Sequence, residues 1–262
     1  MTVIVADMGA TNARFSFIRH GKMADVFQFA CADFKNPEEM ILAFKRIYAP
    51  KATSLVLGVA GPVSDDKVCW TNRNWSICAK SLKKNLLVKK VILKNDVQVQ
   101  CLGLPLLKKT DYVVLQKGKR QTGPKTLLSV GTGVGAAYYI NGESFSTEYG
   151  QTLMLTGEVL EKRICALPSK GKKAQALSYQ KFYSNLAEMT TNLALTLKPM
   201  AGIYLYGRML DEKLFSKAKF VAQFNAHSTM KKMLQEVPIF LIKKENLAFL
   251  GLKELARKYG LS

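Results

Sequence analysis

The sequence predicts an α/β protein built on a mainly parallel sheet with an antiparallel start, laid down twice along the chain. Three observations carry this. Apolar strand-like runs alternate with helical patterns through the first half, which is the arrangement of βαβ units. Ser54 to Ala60 is a continuous apolar run that stops at Gly61-Pro62, as expected of a buried strand. Each half also opens with an apolar run that ends in a glycine turn, Met8-Gly9-Ala10-Thr11-Asn12 in the first and Gly131-Thr132-Gly133-Val134-Gly135 in the second. Two similar halves point to internal duplication.

The elements follow in order. Thr2 to Asp7 is a short β-branched run closing on an acid and the first turn, and Arg14 to Ile18 alternates with period two, so the pair reads as strand, tight turn, strand. Val26 to Ala30 is a third strand. Asn36-Pro37-Glu38-Glu39 starts a helix: Asn caps, Pro tolerates the first helical position, and acids suit the positive helix end. Met40, Ile41, Phe44, Ile47 and Tyr48 then share one face. After Ser76 a helix is expected to about Leu86, then a strand from Lys90 to Leu93 ending at Asn95-Asp96, then a helix through about Leu107.

The second half begins near Lys108. Its strands are expected at Tyr112 to Leu115, Thr126 to Gly131 and Ala136 to Ile140. Lys162 to Lys181 is polar, basic and poorly patterned, which predicts a helix followed by an irregular loop. Leu186 to Leu197 is a helix, Gly202 to Tyr206 and Val237 to Ile242 are strands, and Asn246 to Tyr259 is a closing helix.

Composition narrows the function classes. The chain has 262 residues, 48% of them hydrophobic, enough for one large core or two small ones, so global disorder is excluded. No apolar run approaches the roughly 18 to 20 residues of a membrane helix, and the start of the chain lacks the order of a targeting peptide, so a cytoplasmic protein with no membrane partner is expected. Five cysteines without a CxxC or a paired His indicate neither a disulfide framework nor a zinc site. The formal net charge of +20 by itself suggests a polyanion partner. The basic tracts Lys83-Lys84, Lys89-Lys90, Lys117 to Arg120 and Lys170 to Lys173 are scattered and not interleaved with aromatics, so they read as solvated faces and no specific nucleic-acid partner is expected.

The two turns carry the chemistry. A hairpin tip of small residues exposes backbone N–H groups, and such concave arrays bind phosphate oxygens; an ordinary hairpin is the competing reading for either turn alone. Neither turn matches GxGxxG or the P-loop, which disfavours a dinucleotide site of that kind. Asp96, preceded by Asn95, falls at the carboxyl end of a strand, where ligand crevices of open α/β sheets lie. A carboxylate there accepts a hydroxyl proton during phosphoryl transfer, or it caps a helix. Asp7 beside the first turn has the same two readings: it holds Mg²⁺ through water, or it caps the turn. Glu148-Tyr149-Gly150-Gln151 offers polar groups suited to a polyol, with no better claim than other surface loops.

At these residues the sequence resembles the bacterial glucokinase family. Asp7-Met8-Gly9-Ala10-Thr11-Asn12-Ala13-Arg14 is similar to the family's first phosphate motif, DxGGTNxR. Val59 to Pro62 with Thr71-Asn72 and Trp75 resembles its next segment, and Lys94-Asn95-Asp96 the segment holding its catalytic aspartate. Gly131 to Gly135 matches the second phosphate motif, Thr147 to Gln151 the GEGGH sugar motif, Asn192 to Leu195 the helix before the adenosine strand, and Asn246 to Leu252 the terminal helix. Order and approximate spacing hold from end to end.

The resemblance implies a two-lobed actin-like, ribonuclease H-like ATPase fold with duplicated mixed sheets and a cleft. It implies a small domain at 1–107 completed by 246–262 and a large domain at 108–245. It implies ATP-dependent phosphorylation of a hexose, glucose to glucose 6-phosphate, as in glycolysis, with ATP and Mg²⁺. Asp96 would be the general base, and Asn95, Glu148, Gln151 and Gln180 would hold the sugar. Gly9, Ala10, Thr11, Asn12, Gly131, Thr132 and Gly133 would hold the phosphates, Gly207 would lie at the adenosine, and Asp7 would hold the metal. Related kinases are often homodimers. Four positions depart from the family pattern: Ala10 for glycine, Tyr149 for glycine, Gln151 for histidine and Gln180 for glutamate. They motivate the alternative reading, a catalytically impaired homologue that binds sugar or nucleotide as a regulatory protein.

Overall fold

The computed structural model describes residues 1–70, 74–119, 121–131, 133–152, 172–207, 210 and 216–261, with the side chains of 172–178 outside that description. Two compact units emerge. Unit 1 is Met1–Leu106 with Asn246–Ser262, and unit 2 is Leu107–Glu245.

Unit 1 opens with β1 (Thr2–Met8), β2 (Asn12–Arg19), β3 (Lys22–Met23) and β4 (Phe27–Ala30). α1 (Pro37–Tyr48) starts where the cap chemistry predicts: the Asn36 side chain accepts the Glu39 N–H, Pro37 takes the first helical position, and Met40, Ile41 and Phe44 are buried. Next come β5 (Ser54–Val59), β6 (Val63–Ser64), β7 (Lys67–Cys69), β8 (Ser76–Cys78), α2 (Ala79–Asn85), β9 (Lys90–Asn95) and α3 (Asp96–Leu102). The main sheet runs β3-β2-β1-β5-β9, with β4 on β2. β1 and β2 are antiparallel, whereas β1, β5 and β9 are parallel. All six residues of β5 are buried, as its unbroken apolar run requires.

Unit 2 contains β10 (Tyr112–Gln116), β11 (Lys125–Val130), β12 (Val134–Ile140), β13 (Glu143–Thr147), α4 (Lys172–Leu197), β14 (Ile203–Tyr206), α5 (Lys217–Phe224), α6 (Lys231–Glu236) and β15 (Ile239–Ile242). α7 (Leu247–Lys258) then returns the chain to unit 1. The unit 2 sheet runs β10-β15-β14-β11-β12-β13. Strands β11, β14 and β15 are parallel, and β12 and β13 continue antiparallel. Matching β11, β12, β13, β14 and β15 to β1, β2, β3, β5 and β9 reproduces the order and directions of the unit 1 sheet, with β10 added at the edge. The duplication expected from the glycine turns is a duplication of sheet topology.

Several local expectations are corrected. The segment after Ser76 is first a strand, β8, paired with β7, and the helix waits until Ala79. The helix after Asp96 ends at Leu102, because Gly103 caps it and Pro105 follows in a short helical turn. The loop expected before Leu186 is helical where it is described: α4 is continuous from Lys172, since no Gly or Pro interrupts it and Phe182, Tyr183 and Leu186 are buried. The rest of that expectation, 162–171, lies outside the described residues. Pro238 has no N–H to give a ladder, and β15 starts only at Ile239. Strands β6, β7 and β13 and helices α5 and α6 were not expected from the sequence pattern. Among the described residues no helix is long and apolar enough to cross a membrane.

Candidate functional site

In unit 1 the expected residues gather at the carboxyl ends of β1, β5 and β9. Register puts Asp7 beside Gly58 and Gly58 beside Lys94, so the Asn95-Asp96 corner rises one strand beyond Gly58 from Asp7. Gly58 lies directly under the corner: a Cβ there would sit at ordinary contact distance, 3.5 Å, from the Asp96 Cα. Asn95 caps α3, accepting the Gln98 N–H at 3.0 Å, and its Nδ2 donates to the Gly61 carbonyl at 3.1 Å. That second bond ties β9 to the turn where β5 stops. Asp96 Oδ1 accepts the Val97 N–H at 2.8 Å. Both sequence readings of Asn95-Asp96 are therefore present at once: Asn95 is the cap, which leaves Asp96 as the first helical residue at the positive helix end.

Asp7 faces Arg14 across the β1–β2 ladder, with a guanidinium nitrogen 3.7 Å from Oδ2. Its side chain is only 15% exposed. Burial, and then the negative charge of Asp96, push the Asp7 carboxyl up to about 7, against the opposing pull of Arg14. A buried carboxyl held protonated by its surroundings and by a neighbouring acid is a group that a cation would help to ionise. No group of three or more metal-ligating side chains occurs among the described residues. This donor set fits Mg²⁺ arriving on phosphates and held through one or two carboxylates, rather than an all-protein cage. Arg14 was part of the quoted motif but had no role assigned; the strand register was the signal that pairs it with Asp7.

The turn beside Asp7 is Gly9 to Asn12. At Gly9 a Cβ would come within 3.0 Å of the Asn12 carbonyl oxygen, so this hairpin closes tightly on itself. Cys31, fully buried, supports it from the short helical turn just after β4: its N–H donates to the Thr11 carbonyl at 3.0 Å and its thiol to the Gly9 carbonyl at 3.5 Å. All peptides described are trans, so carbonyls turned toward Cys31 leave the Ala10 and Asn12 N–H groups facing the other way. That is the orientation an anion-binding turn needs.

In unit 2 the second turn closes with the Gly131 N–H donating to the Gly133 carbonyl at 2.8 Å, and Thr132 lies outside the described residues. A Cβ at Gly131 would meet no described atom within 4 Å. Packing therefore does not demand glycine there, whereas a backbone approached by a ligand does. Gly207, at the exit of β14, has φ +144°, and a Cβ on it would lie 1.9 Å from the Val130 carbonyl oxygen, so this position is fixed as glycine by its contact with the end of β11.

Glu148 to Gln151 follows β13, whose Thr147 is in register with Ala136 and donates its hydroxyl to that carbonyl at 3.0 Å. Glu148 and Gln151 are exposed at the two ends of a short helical turn, closed by the Gln151 N–H on the Glu148 carbonyl at 2.9 Å. Tyr149 packs on the unit 2 core, and its hydroxyl donates to the Met189 carbonyl on α4 at 2.8 Å. Burial, then the Glu188 charge, push its phenol up to about 12. The tyrosine is thus an anchor of the turn within unit 2. Gln180 is exposed on α4, and its nine-residue separation from Met189 corresponds to about 13 Å along the helix. The motif residues Thr71 and Asn72 lie outside the described residues.

The glucokinase family model matches residues 4–167 and 154–259. A glucokinase from Nitrobacter hamburgensis is 25% identical over 311 aligned positions that cover 96% of each chain. Those positions outnumber the 262 residues here, so that relative carries segments this chain lacks. Among solved structures, the glucokinase of Balamuthia mandrillaris in complex with glucose superposes with a TM-score of 0.79 at 17% identity, covering 98% of this chain and 93% of that one. A ROK family glucokinase from Streptomyces griseus, in complex with glucose and AMPPNP, gives 0.69 at 14% identity, covering 98% and 100%. Likeness at that identity establishes the fold.

Proposed function

The chain belongs to the glucokinase family, and from that premise we propose that it transfers the γ-phosphoryl group of ATP to the 6-hydroxyl of glucose. The observation that carries this reading is the acid pair of Asp7 and Asp96 at the carboxyl ends of parallel strands, beside a turn whose N–H groups are held facing outward. Asp96 is the general base. It takes the proton from the sugar hydroxyl as that oxygen attacks phosphorus and ADP leaves.

Asn95 has a second role in this reading: it contacts the sugar while its own side chain locks the β9–α3 corner. Glu148 and Gln151 accept and donate to sugar hydroxyls from an exposed turn held in place by Tyr149. Gln180 and Thr132 retain the roles implied by the motifs. Gly9 to Asn12 and Gly131 to Gly133 receive phosphate oxygens, with Gly207 at the adenosine. Mg²⁺ supplies charge neutralisation on the phosphates when bound, and Asp7 is the side chain of unit 1 suited to hold its water shell. Unit 1 acts as the small domain and unit 2 as the large one. Catalysis in this arrangement is positioning and charge stabilisation.

Tyr149 supports this reading over an impaired homologue, because its ring is accommodated by the core of unit 2. The test is ADP formation by the purified protein with Mg-ATP and a hexose panel. Glucose-dependent turnover is expected, and Asp96→Asn is expected to lower kcat by roughly 10²- to 10⁴-fold with folding unchanged. A protein that turns over no hexose would falsify the proposal.

A further inference from the structure

We propose that the C-terminal helix α7 sets the position of Asp96, with Gly251 as the positioning residue. The proposal builds on the reading of Asp96 as the base, and it concerns residues that no phosphate or sugar motif includes.

α3 spans only Asp96–Leu102. A helix of two turns has too few internal hydrogen bonds to hold its own place, so what it packs against decides where its first residue points. On one side lies Gly58 of β5, where a Cβ would sit 3.4 Å from Val99 Cγ2 and 3.5 Å from the Asp96 Cα. On the other lies Gly251 of α7, where a Cβ would fall 1.7 Å from the Val99 carbonyl oxygen and 2.7 Å from its carbon. A third glycine completes the seat: a Cβ on Gly103 would be 3.1 Å from both the Gly251 nitrogen and the Leu250 Cβ.

Helix α3 therefore rests on β5 through the Val99 side chain at ordinary contact distance, while it meets α7 backbone to backbone. Such contact leaves no rotamer to adjust: displacement at Val99 moves the helix, and Asp96 is one turn away on the same rigid segment. Gly251 has no positive φ to explain it. In a helix interior glycine is disfavoured relative to alanine, so local propensity argues for any other residue and only the close approach calls for glycine.

The test uses the full chain carrying Gly251→Ala, with Gly103→Ala as a milder displacement and Lys253→Ala, exposed on the same helix, as the control. Gly251→Ala is expected to lower kcat on the order of 10- to 100-fold while the KM for Mg-ATP stays within about twofold, since misplacing a reacting group by about 1 Å costs that much. Gly103→Ala is expected to show the same split in reduced form, and Lys253→Ala none of it. Crystal structures of the variants supply a readout independent of turnover: Asp96 shifts relative to Asp7 in the order Gly251→Ala, Gly103→Ala, Lys253→Ala. Should Gly251→Ala fail to fold, Gly103→Ala carries both readouts. Variants that lose thermal stability but keep kcat and the Asp96 position overturn the proposal. If the unaltered protein turns over no hexose, the activity reading alone fails, and the displacement of Asp96 still decides the positioning role.

Discussion

In unit 1 the hairpin after β1 turns through Gly9 to Asn12, and the pair just inside its last rung is Asp7 opposite Arg14. In unit 2 the hairpin after β11 turns through Gly131 to Gly133, and the corresponding pair is Ser129 opposite Gly135. The strands around them have the same order and direction. One hairpin is thus charged, supported from behind by Cys31 and closed on itself at Gly9; the other is neutral, and a Cβ on its first glycine would meet no described atom within 4 Å. A shared skeleton with different loads teaches that the duplicated fold supplies the glycine hairpin twice, while the acid pair of Asp7 and Asp96 belongs to one copy.

Three substitutions would break or sharpen that contrast. The largest effect is expected at the point where the unit 2 hairpin is truly constrained. Gly207→Ala places a methyl 1.9 Å from the Val130 carbonyl oxygen at a φ of +144°, and is expected to destabilise by about 3 kcal/mol, seen as a fall in Tm of roughly 5–10 °C. An unchanged melting curve would show that β14 exits elsewhere.

A smaller effect, opposite in sign, is expected at the charged hairpin. Asp7 has its pKa raised from 3.8 to about 7 in the fold, so the folded state holds a proton that the unfolded chain releases, and stability falls as pH rises through that window. Asp7→Asn removes this penalty and also the attraction to Arg14. It is expected to raise stability by about 2 kcal/mol above pH 8, with the gain fading as pH falls toward 4, where the natural carboxyl is protonated. Urea titrations across that range measure it; a gain independent of pH would remove the electrostatic account.

The smallest effect separates ligand from fold. Gly131→Ala is expected to leave Tm within about 2 °C and raise the KM for Mg-ATP about tenfold, because the methyl enters space that none of the described residues fills. Equal loss of stability and affinity would mean that Gly131 serves packing, like Gly9.

How much of this was legible in the sequence depends on what each feature rests on. β1, β5, β9 and β11 each carry a short apolar run, unbroken over most of β5, and such runs declare themselves. β13 does not: Ser144 is buried while Phe145 stands exposed, stacked on Tyr138 at 5.2 Å across the same edge, so its apolar phase is the reverse of its burial. The continuity of α4 was hidden because its basic start lacks an amphipathic pattern, although its freedom from Gly and Pro was on the page. At the site, Asn95-Asp96 was readable as a strand-to-helix corner. The opposition of Asp7 to Asp96, the partnership with Arg14 and the seat made by Gly58, Gly103 and Gly251 depend on strand register and helix contact, which no single stretch of sequence encodes.

The division of the chain adds a consequence in time. Unit 1 is assembled from 1–106 and 246–262, with all of unit 2 between them. On the ribosome, residues that carry Asp7 and Asp96 emerge early, yet the helix bearing Gly251 is made only after unit 2 has been synthesised. α3 must wait for its seat, with one apolar side uncovered, until α7 arrives; a chain stopped before Leu247 would hold Asp7, Asp96 and both glycine turns and lack the helix against which α3 settles.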